Sequence, residues 1–177
     1  PAHGYFLWAH SDGIYAAPFA DSETGSSALA DNNSIGLFTR SGTDGIIIDS
    51  IAWGTGALFV PGTPTFPNPG KKKSLSRNVT TLEWTLVETL TPTNRSGALF
   101  SSVPVTPPPD PTPDPTPQPI PPSGKISVII NEILSNPIGN ETEGEFIELY
   151  NESERNASLN GYTLRDASKT GLYTFPT

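Results

Sequence analysis

Five carboxylates crowd two short polar stretches near the end of the chain: Glu141, Glu143 and Glu145 in the first, Glu152 and Glu154 in the second. Oxygen-rich loops of this kind suit calcium. The twelve-residue EF-hand spacing is absent, so the plainer reading of Glu141, Glu143 and Glu145 is a solvated acidic face, and a calcium-stabilised surface module is the alternative. Lys71, Lys72, Lys73 and, just beyond them, Arg77 form the one basic cluster, the pattern of a nucleic-acid or import patch. The plainer reading is a solvated loop whose lysines guard a short edge strand. A net charge of −8 also opposes a nucleic-acid footprint. His3, His10, Ser11 and Asp12 have the residue types of a nucleophilic triad, but triad members meet through the fold rather than along the chain. No nucleophile elbow, phosphate-cradling glycine loop or His-Glu metal spacing occurs, and cysteine is absent. The residues therefore imply no catalytic group and no cofactor, and the two histidines read as surface residues flanking one strand.

The elements that must position these groups read as strands. Aromatic and apolar residues fill 4–10 (GYFLWAH), with Asp12-Gly13 as a turn signal behind them. Residues 21–34 are small and polar and read as a loop. Strands are expected over 34–39 and 45–53, joined by a hairpin connection at 41–45, where Asp44-Gly45 accepts positive φ. Asp49 falls mid-strand on the face of Ile47 and Ile51 and is expected to hydrogen-bond a neighbouring loop. Residues 54–70 read as a Gly/Pro loop, 74–77 as a short edge strand and 81–87 as an alternating strand. Later strands are expected over 126–134, 145–150, 159–166 and 172–175. In the second of these Phe146, Glu148 and Tyr150 share one face, and Glu145, Ile147 and Leu149 the other.

Between the two groups of strands lies PVTPPPDPTPDPTPQPIPP at 104–122, more than half proline. Proline fixes φ and donates no backbone hydrogen bond, so this run is read as a stiff polyproline II spacer. At about 3.1 Å per residue it would span roughly 60 Å. The organisation expected is residues 1–103, a linker at 104–124, and residues 125–177. High Gly, Pro, Ser and Thr with short apolar runs point to an all-β chain. No apolar run approaches the ~18 residues a membrane span needs. Residues 125–177 carry eight acidic against four basic residues. Methionine is absent even at position 1, which reads as a processed or excised piece of a longer chain. Six Asn-x-Ser/Thr sequons occur, at Asn32, Asn78, Asn94, Asn140, Asn151 and Asn156, and matter only where a glycosylation pathway exists.

Four motifs carry a resemblance: NEI at 131–133, EFIELYN at 145–151, LNGYTLRD at 159–166 and YTFP at 173–176. In order and spacing they resemble the opening half of a lamin tail domain, a family with an immunoglobulin-like β-sandwich found in nuclear lamins and in many bacterial surface or secreted proteins. PAHGYFLW at 1–8, SIGLF at 34–38, GIIIDSIAWG at 45–54 and SLSR at 74–77 are similar to the strands that follow in that family. Residues 78–103 depart from it, lacking its Asp/Asn-rich closing segment.

The resemblance implies the end of one repeat, a spacer, and the start of the next. Some 53 residues are too few to bury a good core alone, so residues 125–177 are expected to pack on 1–103 as a sandwich completed in circularly permuted order. Exchange of strands between chains, giving a homo-oligomer, is the other arrangement. The function expected is a non-catalytic structural or interaction module of a tandem lamin-tail-domain protein, secreted or at the cell surface, with a protein or cell-surface partner. An accessory DNA-binding domain of a nuclease-like protein and a calcium-stabilised module are the alternatives. Nothing in the residues names the partner.

Overall fold

The computed structural model describes residues 1–25, 29–39, 45–56, 59, 62–99, 127–137, 144–166 and 171–176. The hairpin connection, the proline-rich run, Glu141, Glu143 and the sequon at Asn140 lie outside them. Eleven strands form among the described residues: β1 (Tyr5–His10), β2 (Ser22–Thr24), β3 (Asn33–Phe38), β4 (Ile47–Trp53), β5 (Thr65–Phe66), β6 (Ser74–Arg77), β7 (Trp84–Val87), β8 (Val128–Leu134), β9 (Phe146–Asn151), β10 (Thr163–Asp166) and β11 (Gly171–Thr174). None of those residues forms a helix long and apolar enough to cross a membrane.

The strands form two sheets, in the orders β2-β1-β9-β8-β6-β7 and β11-β10-β3-β4-β5. Both flanks of the proline-rich run contribute to both sheets. In the first sheet β9 pairs antiparallel with β1, and β8 with β6; in the second β10 pairs antiparallel with β3. The flanks therefore complete one two-sheet sandwich within a single chain.

Period-2 alternation decides what lies between the sheets. Phe6 and Trp8 of β1, Leu75 of β6, Ile130 and Ile133 of β8 and Ile147 and Leu149 of β9 face Ile35, Leu37, Ile51, Trp53 and Leu164 of the second sheet in one core. Trp53 lies wholly buried, and its indole N–H donates to the carbonyl of Ala30 at 3.1 Å. The first sheet is buried on its outer face too. There Leu7, Ala9, Leu134 and Phe146 pack with Tyr15, Phe19, Ala20 and Leu90, which reach over from residues 11–20 and from the stretch after β7.

One residue sets which side chains reach that outer face. Ile130 is opposite Leu149, yet Glu132 is opposite Glu148, so Asn131 is an extra residue in β8. This β-bulge resets the alternation. Ile130 and Ile133 both point into the core, and Glu132 turns to the outer face beside Glu148.

Several expectations change with tertiary context. The loops at 21–34 and 54–70 each contain a short strand, β2 and β5, paired parallel to β1 and β4 respectively. Residues 74–77 form an interior strand rather than an edge; the edge is β7. Asp49 bonds not to a loop but across the sandwich. Its Oδ2 accepts the backbone N–H of Ile130 at 2.8 Å and pairs with the Arg77 guanidinium at 2.7 Å. His10 is buried, at 2% exposure, and is not a surface residue. The Asn160-Gly161 turn forms as its residues suggest, with Gly161 at φ 76°.

Candidate functional site

The basic cluster is largely engaged in the fold. Arg77 pairs with Asp49, lies over the Trp84 ring at 5.5 Å and donates to the Leu82 carbonyl. Lys73 pairs with Glu88 at 2.8 Å, and that contact holds the Glu88 carboxyl below its usual range. Lys71 and Lys72 are exposed and adjacent, with the Lys72 backbone N–H bonded to the Asn136 carbonyl. Of the acidic candidates, Glu145 does not sit on a solvated face: it is fully buried, and its Oε2 accepts the Leu29 N–H at 2.8 Å. Glu152 accepts the Ser127 hydroxyl at 2.7 Å. Among the described residues no three His, Asp or Glu side chains gather as a metal would need. Ser11 and Asp12 lie in the turn after β1, where the Asp12 N–H donates to Nδ1 of His10, and His3 approaches the Tyr150 hydroxyl at 3.3 Å.

Two other constellations stand out. The first is a carboxylate pair on the outer face of the first sheet. Glu132 and Glu148 are opposite each other across β8 and β9, at 0% and 1% exposure. Among the described residues no lysine, arginine or histidine forms an ion pair with either. Their partners are neutral donors. Glu132 accepts the Ser74 hydroxyl at 2.5 Å and the Thr91 hydroxyl at 2.8 Å; Glu148 accepts the Thr93 N–H at 2.6 Å and the Asn131 amide. Burial raises both carboxyl groups, and for Glu148, where the Glu132 charge adds to it, the value is pushed up to about 7. Burial also raises Asp49, outweighing the Arg77 charge beside it.

The second is a groove of about 580 Å³ between the β1 side of the first sheet and β11 at the edge of the second. Phe6, Tyr173 and Phe175 give it a contiguous aromatic wall, with ring centroids 4.9–6.4 Å apart. Val128 and Leu149 extend the apolar surface, and Asn151, Ser158 and Asn160 add polar groups. Arg95 stands at the rim. Its guanidinium lies 5.5 Å over the Phe6 ring, and its backbone N–H donates to Asp21 Oδ2 at 2.6 Å. The same oxygen accepts the Leu7 N–H at 2.9 Å, so Asp21 ties this rim to β1.

The stretch following β7 joins the two constellations. Leu90 packs on the outer apolar cluster, Thr91 and Thr93 bond the carboxylates, Asn94 donates to the Phe19 carbonyl at 2.9 Å, and Arg95 reaches the groove. Sequence reasoning missed both sites. Glu148 carried a usable signal, an acidic residue in a strand apolar on both faces. The groove carried none, because Phe6, Asp21, Arg95 and Tyr173 are far apart in the chain.

With this geometry in view, the β8–β11 part of the sandwich coincides with a known family. Residues 121–177 match the sequence family described as Lamin Tail Domain. This segment is lamin tail domain. No curated protein and no solved structure matches the chain. The two-sheet architecture is consistent with the immunoglobulin-like sandwich of that family. The lamin tail segment supplies Asn131, Glu132 and Glu148 of the carboxylate pair and Tyr173 and Phe175 of the groove. Residues 1–99 supply the covering stretch, Phe6, Asp21 and Arg95, so each site draws on both flanks.

Proposed function

We propose that this chain is a non-catalytic binding module of a tandem lamin-tail-domain protein, secreted or held at a cell surface, and that its aromatic groove takes an acidic proline-rich segment of a neighbouring copy. The observation that carries this reading is the groove itself. Its volume falls in the range of ligand sites, it is lined by four aromatic side chains, Tyr5, Phe6, Tyr173 and Phe175, and the Arg95 guanidinium stands at its rim. Aromatic-lined grooves suit extended proline-rich segments, because the proline rings stack on the aromatic faces and little chain entropy is lost. The sequence contains such a segment, with Asp110 and Asp114 spaced among prolines and opposite in charge to Arg95. Binding of this kind would let each module grip a spacer next to it and stiffen an array.

The test is titration of the chain with a synthetic peptide of the sequence of residues 104–122, read by aromatic carbon–proton NMR. Shifts confined to Phe6, Tyr173 and Phe175, weakened in Tyr173→Ala, are expected. A peptide that perturbs none of these rings at millimolar concentration would reject the groove as its site.

A further inference from the structure

We propose that Glu132 and Glu148 form a proton-held latch for residues 91–95: while the pair retains a proton this stretch is clamped on the outer face of the first sheet, and loss of that proton releases it and opens the Arg95 rim of the groove.

The argument starts from the pairing. Two carboxylates in register on adjacent strands, both without exposure and neither paired with a cation among the described residues, cannot easily carry two charges. One proton shared across the pair removes that conflict. Among the described residues the groups around the pair offer no countercharge; the Thr91 and Thr93 donors favour the charged forms, and burial beneath the cover outweighs them. From β1 come Tyr5 and Leu7; from β6, Ser74; from β8, Asn131; from the turn after β1, Tyr15; and from the covering stretch, Thr91 and Thr93. The pair pushes the Tyr5 and Tyr15 hydroxyls further up, adding to the effect of their own burial. The charged members nearest along the covering stretch face elsewhere, Glu88 to Lys73 and Arg95 to Asp21.

When the second charge forms, the escape with the fewest contacts to break is the cover. β8 and β9 are interior strands with partners on both sides. Residues 91–95 belong to no named strand; Thr93 makes one isolated bridge, to Leu99. Lifting them lets water reach both carboxylates. Thr93 and Arg95 are two residues apart, one bonded to Glu148 and the other at the groove, so release at the first moves the second. A solvated Glu148 returns to the ordinary value of 4.5 against about 7 when covered. Linkage then makes the open form about tenfold more populated relative to the closed form at pH 8 than at pH 6. The opening of the rim rests on the groove reading above; the latch does not.

The test is limited trypsin cleavage after Arg95 in the full chain at pH 6 and pH 8, with fragments read by mass spectrometry. Rates are normalised to cleavage of a free peptide spanning residues 88–99. The normalised rate is expected to rise about tenfold in the wild type and to stay flat in Glu148→Gln. An equal normalised rate at both pH values, or the same rise in the variant, overturns the latch. Carboxyl-carbon NMR of the wild type provides a second readout should the variant fold poorly, and a Glu148 midpoint at the ordinary glutamate value overturns it too. These readings concern the cover alone and stand apart from whether the proline-rich peptide binds.

Discussion

At the scale of single residues, Glu148 and Asp49 show two ways of burying a carboxylate. Burial, with the Glu132 charge adding to it, outweighs the neutral donors around Glu148, so its folded pKa lies above its unfolded value. Its stabilising contribution is fully present below pH 4.5 and is lost as pH rises through about 7. Replacing it with glutamine removes that slope. Denaturant melts at pH 4.5 and pH 8 should show wild type losing on the order of 3 kcal/mol relative to Glu148→Gln over that interval. Asp49 instead meets Arg77, with side chains 14% and 13% exposed. Removing the guanidinium strands a buried carboxyl, so Arg77→Ala should cost about 3 kcal/mol. The Asp49→Asn, Arg77→Ala double variant should recover part of this, read as the midpoint of urea unfolding.

At the scale of elements, the bulge at Asn131 decides what β8 presents. Read with unbroken alternation, Ile130 and Glu132 would share a face; the extra residue sends them to opposite faces. Deleting Asn131 restores the plain period with Glu132 directly after Ile130, so Glu132 stays on the outer face beside Glu148 and Ile133 stays in the core; what is lost is the bulge and the Asn131 amide bond to Glu148. The deletion is therefore expected to keep cooperative folding at a lowered thermal midpoint by circular dichroism, and loss of the cooperative transition would show that the bulge itself is required. Ile133→Ala, which keeps the bulge and opens only a cavity, should cost about 3 kcal/mol and leave the transition cooperative. The two variants separate the loss of the bulge from the loss of packing. The same logic explains β6. Four residues flanked by lysines look like an edge, but strands more than fifty residues apart in the chain do not announce their pairing, and the true edge is β7.

At the scale of the whole molecule, Pro1 and Pro176 line the same groove, so the two described ends of the sandwich lie close together. A chain rearranged to run from residue 125 to 177, then through a short glycine linker into residues 1–99, should therefore keep every strand pairing. We expect it to fold as a compact monomer of unchanged fluorescence spectrum. Recovery of only aggregated or unfolded chain would show that the original connection between the flanks is needed. Light scattering of the original chain should likewise give the monomer mass, since both sheets are complete within one copy.

The chain's β class, most of its strands and the alternation inside β9 were legible in the sequence, because period-2 burial is a local rule. So was the lamin tail resemblance of the second flank, whose four motifs lie within 46 residues. What only the tertiary structure decided were the facts that depend on distant partners: Asp49 meeting Arg77 across the sandwich, His10 and Glu145 going under cover, β2 and β5 forming inside polar stretches, and Glu132 meeting Glu148. Each follows from long-range pairing, in which a residue's burial is set by what packs on it rather than by its own neighbours in the chain. The groove belongs to this second kind. Phe6, Arg95 and Tyr173 have no relation along the sequence, and they become one site because both flanks close on the same core.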